Sequence, residues 1–355
     1  MATLNANYQT MLDIANMPKN KDVKSMVNML AQYNPMLADA AAIPCNMGVQ
    51  HEHSVVTGLP KAFWGRYYQG TPNSKGQRQQ VKDTPGWLES ANEVDTRLID
   101  VLEKAEEKAS LMEQEASLHI EAMSQAAARS LWYQDISDDP ASIVGFGPRF
   151  NSLSAENSTQ IINAGGTGGD NTSIWMITWD PMTAFMIYPK HGKVGIQTKM
   201  FDNWPATDAN GDKYSVYREV FTWHLGLALK DWRYVARIAN IDTSNLALGS
   251  VSEGSASDEF GRFRTGDANL RSANLVDLMN RMYYQHEGRR MMRGKTCIYA
   301  NRTILEFLEA QARNLPRNLY LNYDNVGVNQ SKVLTFRGIP IKETDSLLNS
   351  EASVQ

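Results

Sequence analysis

Cysteine is almost absent from the chain: there are two in 355 residues, Cys45 and Cys297, far apart and without CxxC spacing. A disulfide framework and a thiolate zinc site are thereby excluded, a reducing cytosol is the natural folding compartment, and both thiols read as small buried apolar side chains. An excess of basic charge is lacking too. Thirty-five Lys and Arg stand against 39 Asp and Glu, for a formal net charge of −4. That balance excludes a dedicated DNA-coating protein, so any nucleic-acid contact must be local. No window approaches the roughly 20 unbroken apolar residues that cross a bilayer, and the start, MATLNANYQTMLDIANM, has neither the basic n-region nor the apolar run of a signal peptide. The chain therefore reads as neither secreted nor membrane-spanning. With no internal repeat or low-complexity tract, and 42% apolar and 21% charged residues, it has the composition of a globular protein. Its length suits two compact domains or one elongated subunit with appendages.

Chemical motifs are equally scarce. The glycine-rich stretch AGGTGGDN (164–171) is followed by no GK[ST] and opens no predicted helix, so it lacks the lysine and the helix dipole of a phosphate-binding loop. His51-Glu52-His53 has metal-ligand residue types, but in a strand the two histidines share one face and the glutamate points away. Two ligands remain where zinc takes three or four. His119 and His224 sit beside apolar residues and read as packed. Asp138-Asp139 and Asp258-Glu259 lie in loops without a basic partner, and no GxSxG, Ser/His/Asp or Cys/His order stands out. An enzyme is not indicated, and no cofactor or metal is expected.

What is present is a series of structural segments. Residues 1 to about 50 read as short amphipathic helices, Tyr8–Met17 and Lys21–Gln32, the second with Met26, Met29 and Leu30 on one face. They form either a lid on the chain's own core or an arm on a neighbour. From His51 to Gly86 two β-prone runs flank a turn-rich, basic tip, Gly70–Gly76, which predicts a long hairpin. Trp64, Tyr67 and Tyr68 on its stem need cover, and with Arg66, Lys75, Arg78 and Lys82 they are the candidates for contact with another subunit. Glu93–Tyr133 keeps apolar residues at three- and four-residue steps without Gly or Pro. One helix of about 40 residues, about 60 Å long, is predicted, packed on a sheet or in a coiled-coil dimer.

Asp135–Asp170 reads as loop, Ser173–Tyr188 as a hairpin turning at Asp180-Pro181, and Tyr214–Ile241 as two strands broken near Leu229–Asp231. Together these predict an antiparallel sheet under the long helix. After a polar break, Gly249–Asp267, come a helix (Asn274–Glu287), a strand (Thr296–Ala300), a helix capped by Asn301 (Arg302–Arg313) and a hairpin (Leu319–Phe336), which make a small α+β lobe. Arg289, Arg290 and Arg293, with Lys295, are the densest basic cluster. They would bind DNA phosphates, a neighbour's carboxylates, or simply the C-terminal end of a helix.

TGLPKAFWGRYYQG (57–70), SANEVDTRL (90–98), INAGGTGGDNTSIW (162–175) and LGLALKDWRYVARIANID (225–242), together under a fifth of the chain, resemble stretches of the capsid proteins of epsilon-fifteen-type short-tailed phages. The segment order resembles the Hong Kong 97 phage-type major capsid fold. The resemblance implies an α+β chain divided into an N-terminal arm (1–50), an extended E-loop hairpin (51–90), a peripheral domain (91–245) with a spine helix (about 93–133) and sheet, an axial domain (246–346) and a C-terminal tail (347–355). Here the sheet strands precede the axial lobe, where the family more commonly places them after it. The implied function is self-assembly, as hexamers and pentamers, into an icosahedral shell around the double-stranded DNA of a tailed phage; a tail-tube or decoration subunit is the alternative. The implied partners are the chain itself, a portal protein, packaged DNA held without sequence preference and, in some shells, a decoration or cement protein. With about 50 residues ahead of the hairpin there is no room for a built-in scaffolding segment, so a separate scaffolding protein is expected. The implied location is the virion, after synthesis and assembly in the bacterial host cytoplasm. Some members weld subunits by a Lys–Asn isopeptide bond, for which Lys75 or Lys82 would supply the amine.

Overall fold

The structure is a computed structural model and describes residues 31–101, 105–208, 210–243, 274–290, 294–313, 321–326 and 331–355. The helices expected at Tyr8–Met17 and over most of Lys21–Gln32, and the polar break at 249–267, lie outside the described residues. In chain order the elements are α1 (Met36–Asp39), β1 (Ala42–Pro44), β2 (His51–Gly58), β3 (Gln77–Asp83), β4 (Gly86–Asp95), α2 (Thr96–Asp100), α3 (Ala105–Tyr133), α4 (Phe146–Arg149), β5 (Ile161–Asn163), β6 (Asn171–Trp179), β7 (Ala184–Tyr188), β8 (Ile196–Thr207), β9 (Lys213–Leu229), β10 (Val235–Asp242), α5 (Leu275–Gln285), β11 (Lys295–Ala300), α6 (Arg302–Arg313), β12 (Leu321–Val326), β13 (Ser331–Phe336) and β14 (Ile339–Glu343). They fall into two compact units. The first is built from Gly86–Ala127 and Gly192–Leu225, the second from Tyr33–Pro85, Ala128–His191 and Gly226–Gln355.

In the first unit β9 lies between β4 and β8, antiparallel to both. Alternation sorts the side chains: Asn92 and Val94 of β4 are buried, while Trp87 and Glu89 face the other way and are exposed. The first-unit part of α3 lies on one face. His119 stacks on Phe221, with centroids 5.6 Å apart and planes 12° from parallel, and its Nδ1 is 2.7 Å from Ser90 Oγ. The long helix is thus shorter than the sequence pattern predicts. Glu93–Asp95 belong to β4, and α3 runs for 29 residues, about 44 Å. Val94 fits a helical step to Leu98 but also a strand alternation, and pairing with Tyr217 decides for the strand. Asp95 then caps α2, accepting the Arg97 amide at 2.9 Å.

The second unit is organised by β6, all nine residues of which are buried. It runs antiparallel to β10 on one edge and to β11 on the other. β5 adds to β10 and β14 to β11, both in parallel, and β13 and β12 follow as an antiparallel pair. The sheet is therefore mixed rather than wholly antiparallel. Ser173–Tyr188 is likewise not a hairpin. Both edges of β6 are occupied, so β7 meets it at a single pair, Trp179 with Ala184, and instead joins β1 in parallel and residues 226–229 of β9 antiparallel.

The two faces of β6 bury different cores. Ile174 and Met176 join Ile238, Met279, Met282, Ile298 and Ile304 beneath α5 and α6. Trp175 and Trp179 face Trp132, Phe146 and Tyr299, with ring centroids within 6 Å of one another along the cluster. Each large side chain so buried contributes about 2 kcal/mol. Asn274 and Asn301 cap α5 and α6 from their side-chain oxygens, at 3.3 and 3.0 Å. Cys45 and Cys297 are buried free thiols, as the sequence predicts.

Candidate interaction surface

β2 and β3 form a two-stranded sheet of their own, paired from His51 opposite Asp83 to Gly58 opposite Gln77, with one register shift near the far end. Among the described residues, nothing else pairs with either strand. The connecting residues 59–76 have no strand or helix and are exposed almost throughout. Their internal bonds are few: Ser74 Oγ donates to the Lys61 carbonyl at 2.8 Å, and the Gln69 amide to that of Arg66 at 3.3 Å. Trp64 and Tyr67 are 99% and 97% exposed. Tyr68, equally bare, holds φ at +64°, a conformation that non-glycine residues adopt at a cost of about 1 kcal/mol or more. Arg66, Lys75, Arg78 and Lys82 are all exposed as well. Every hairpin residue singled out from sequence therefore lies on one uncovered projection.

The hairpin's base is tied down. Asp83 is buried, accepts Arg149 Nη2 at 2.7 Å and the Leu229 amide at 3.4 Å. Arg149 also donates to the Leu227 carbonyl at 3.1 Å. Asn46 brackets Glu52 by accepting its amide at 2.8 Å and donating to its carbonyl at 2.6 Å. Where the chain leaves the hairpin, a Cβ on Gly226 would sit 2.7 Å from Pro85 Cα, so only glycine fits.

The basic cluster is partly engaged within its own chain. Arg289 Nε donates to the Tyr284 carbonyl in the last turn of α5 at 3.0 Å, and its guanidinium lies 5.5 Å from the Tyr284 ring. Arg290, exposed, is 3.5 Å from Glu287. Lys295 is bound to Asp39 at 2.6 Å. Arg293 lies outside the described residues. Among the described residues, no three His, Cys, Asp or Glu side chains are grouped so as to hold a metal ion.

Two buried polar centres escaped sequence reasoning. Asp39 receives Lys295, Lys342 and Tyr299 at 2.6 Å each. Burial pushes its carboxyl up, but the three hydrogen bonds and the Lys342 charge outweigh that and hold it below the usual carboxylate range. The second centre is the end of the chain. Glu351 accepts Arg237 Nη2 at 2.8 Å, the Tyr133 hydroxyl at 2.6 Å and the Ser173 hydroxyl. Val354 exchanges two bonds with the Asn240 side chain, at 2.7 and 2.9 Å. No local pattern marks either centre, since the partners lie 114 to 303 positions away in sequence.

A family model described as Major capsid protein GP7 matches residues 18–355 of this chain. A solved structure from bacteriophage epsilon15 is similar at 30% identity and a TM-score of 0.72, covering 100% of this chain and 99% of that one. A chain of the bacteriophage JBD30 capsid is similar at 10% identity and a TM-score of 0.46, over 97% and 96% of the two chains. One from the capsid of a native GTA particle is similar at 8% and 0.42, over 62% and 94%. The last two likenesses are too distant to bear on function. No curated protein matches the chain.

Proposed function

This chain belongs to the major capsid protein GP7 family, and from that premise we propose that its self-association runs through the β2–β3 hairpin. The chain is a phage major capsid protein with the Hong Kong 97 phage-type fold: a non-enzymatic subunit that assembles with copies of itself into the icosahedral shell around the genome. Tail-tube and decoration readings are thereby set aside. The observation that carries the hairpin's role is the full exposure of Trp64 and Tyr67 on a projection that no other part of the described chain covers. Burying such rings on a neighbour contributes about 2 kcal/mol each, and weak contacts repeated around a closed lattice sum to a stable shell.

In this reading the subunits form hexamers and pentamers, and Trp64, Arg66, Tyr67, Tyr68, Lys75, Arg78 and Lys82 lie against the next subunit. The N-terminal arm (1–50) adds a second contact, and the axial lobe (246–346) lies near the capsomer centre. Packaged DNA is met locally and without sequence preference, by Arg290 with Arg289 and Arg293. A separate scaffolding protein and a portal protein take part, in the host cytoplasm. Deleting Gly70–Gly76 tests the central point. A folded subunit with an unchanged thermal midpoint and no closed shells by negative-stain microscopy is expected; normal, stable shells would refute the hairpin's role.

A further inference from the structure

Three ring nitrogens are buried at the base of the hairpin without a well-formed hydrogen bond: Nδ1 of His51 and both nitrogens of His53. Buried polar atoms are ordinarily paired, so three poorly paired nitrogens in two neighbouring side chains point to a site that works in more than one state. The rings share one face of β2 with centroids 6.3 Å apart. His51 stands edge-on to Phe185 of β7 at 5.2 Å, and the Lys230 ammonium lies 5.0 Å from the same ring. A proton on His51 would therefore put a second cation against Phe185, and a further proton on His53 would place a third beside it.

We propose that the base of the hairpin is an acid-sensitive hinge, in which neutral His51 and His53 hold β2 against β7 and the end of β9, and release it on taking up protons. The groups facing the pair come from four elements. Asp83 of β3 favours the charged rings, but it is already engaged by Arg149 of α4 and the Leu229 amide. Lys230, bound to the Pro181 carbonyl at 3.0 Å, and Arg149 oppose the charge. Cys45, after β1, is buried beside Asp83 and stays a neutral thiol, its ionisation raised first by burial and then by that carboxylate.

For His51 burial is the largest influence, followed by Lys230 and His53, and the outcome is a ring harder to protonate than usual. For His53 burial again leads, with Asp83 and the Leu229 backbone pulling back without cancelling it. The closed base thus binds fewer protons than the released one, so its local stability falls as pH drops below the ordinary imidazole value.

Because, among the described residues, the strands of the hairpin pair only with each other, its base can open while β6, β10 and β11 stay intact. The hinge concerns the single subunit, so its test does not depend on shell assembly. Amide hydrogen exchange of the full chain, corrected for intrinsic rate, is compared at about pH 7.5 and about pH 5. Protection at 51–53 and 81–83 is expected to fall by about tenfold or more while β6 and β10 keep theirs. The double variant His51→Gln, His53→Gln is expected to hold its base protection within about twofold over the same range. A flat wild-type profile, or a double variant that loosens like the wild type, overturns the proposal. If the double variant does not fold, imidazole NMR titration of the wild type decides. Ring titration coinciding with base opening supports the hinge, and titration without opening refutes it.

Discussion

Two stretches of the second unit have almost no regular structure, and their surroundings could hardly differ more. Residues 59–76 carry four aromatic rings, those of Phe63, Trp64, Tyr67 and Tyr68, into solvent with little to hold them. Residues 347–355 contain one isolated bridge, Glu351 with Asn171, yet Leu347, Glu351 and Val354 are all buried. The difference lies in where the polar groups find partners. The end of the chain supplies the carboxylate that neutralises Arg237, a backbone amide and carbonyl for Asn240, and the Leu348 amide for the Tyr133 hydroxyl. It belongs to the fold although it reads as a tail. The loop offers the fold almost nothing, and no other part of the described chain covers its rings.

The largest expected effect comes from breaking the buried end. Arg237 donates to Glu351, Ser173 and the Phe150 carbonyl, and lies 4.9 Å over the Trp175 ring. Glu351→Ala leaves that guanidinium buried without a counter-charge, which costs about 3–5 kcal/mol. Urea unfolding of the isolated subunit measures it. A loss below about 1 kcal/mol would mean that the end is a dispensable appendage after all.

Acid probes the same interior more gently. His286 is completely buried between α5 and the turn at Tyr234; Nε2 donates to the Tyr234 carbonyl at 2.7 Å while Nδ1 accepts the Gly288 amide at 3.0 Å. The bond to Gly288 needs the neutral ring, because a protonated Nδ1 cannot accept, and burial pushes the ring's pKa down to about 4 despite the Tyr234 carbonyl and Glu287. In the unfolded chain the ring titrates near 6.5. The unfolded state therefore binds the extra proton between those values, so this contribution is full above about pH 6.5 and shrinks toward about pH 4, by about 3 kcal/mol in all. Urea midpoints across that range should fall with acid for the wild type and lose this slope in His286→Gln. The hinge at His51 and His53 is the local counterpart, changing protection at one end of the hairpin rather than the stability of the whole unit.

Legibility followed the range of the interactions. The hairpin, the cap at Asn301 and the strand–helix–strand run from β11 were readable because their signals sit within a few residues. β8 had no clear signal: its residues are half-exposed or exposed along its whole length, so no apolar alternation marks it. The last three residues of β4, Glu93–Asp95, were absorbed into the helix pattern, and β7 into a hairpin that β6 could not complete. Among the proposed contacts, the basic residues and the aromatic ones, which the sequence placed on the stem and the structure places in the connecting loop, were conspicuous from sequence alone, whereas the anchors at Asp83 and Arg149 are 66 positions apart and were not.

The smallest expected effect on the subunit belongs to the rings at the loop. Trp64→Ala with Tyr67→Ala removes side chains that no other part of the described chain covers, so unfolding free energy should move by under about 0.5 kcal/mol. Assembly should respond in the opposite sense. If each ring is buried on a neighbour, every subunit loses about 4 kcal/mol of contact, which suffices to raise the concentration needed for shell formation by orders of magnitude. Light scattering against protein concentration, with thermal unfolding of the same samples, separates the two quantities. A variant that loses stability but assembles normally would place the loop with the buried end as part of the fold. One that keeps its stability and fails to assemble would show that the same absence of secondary structure serves the fold at one site and the lattice at the other.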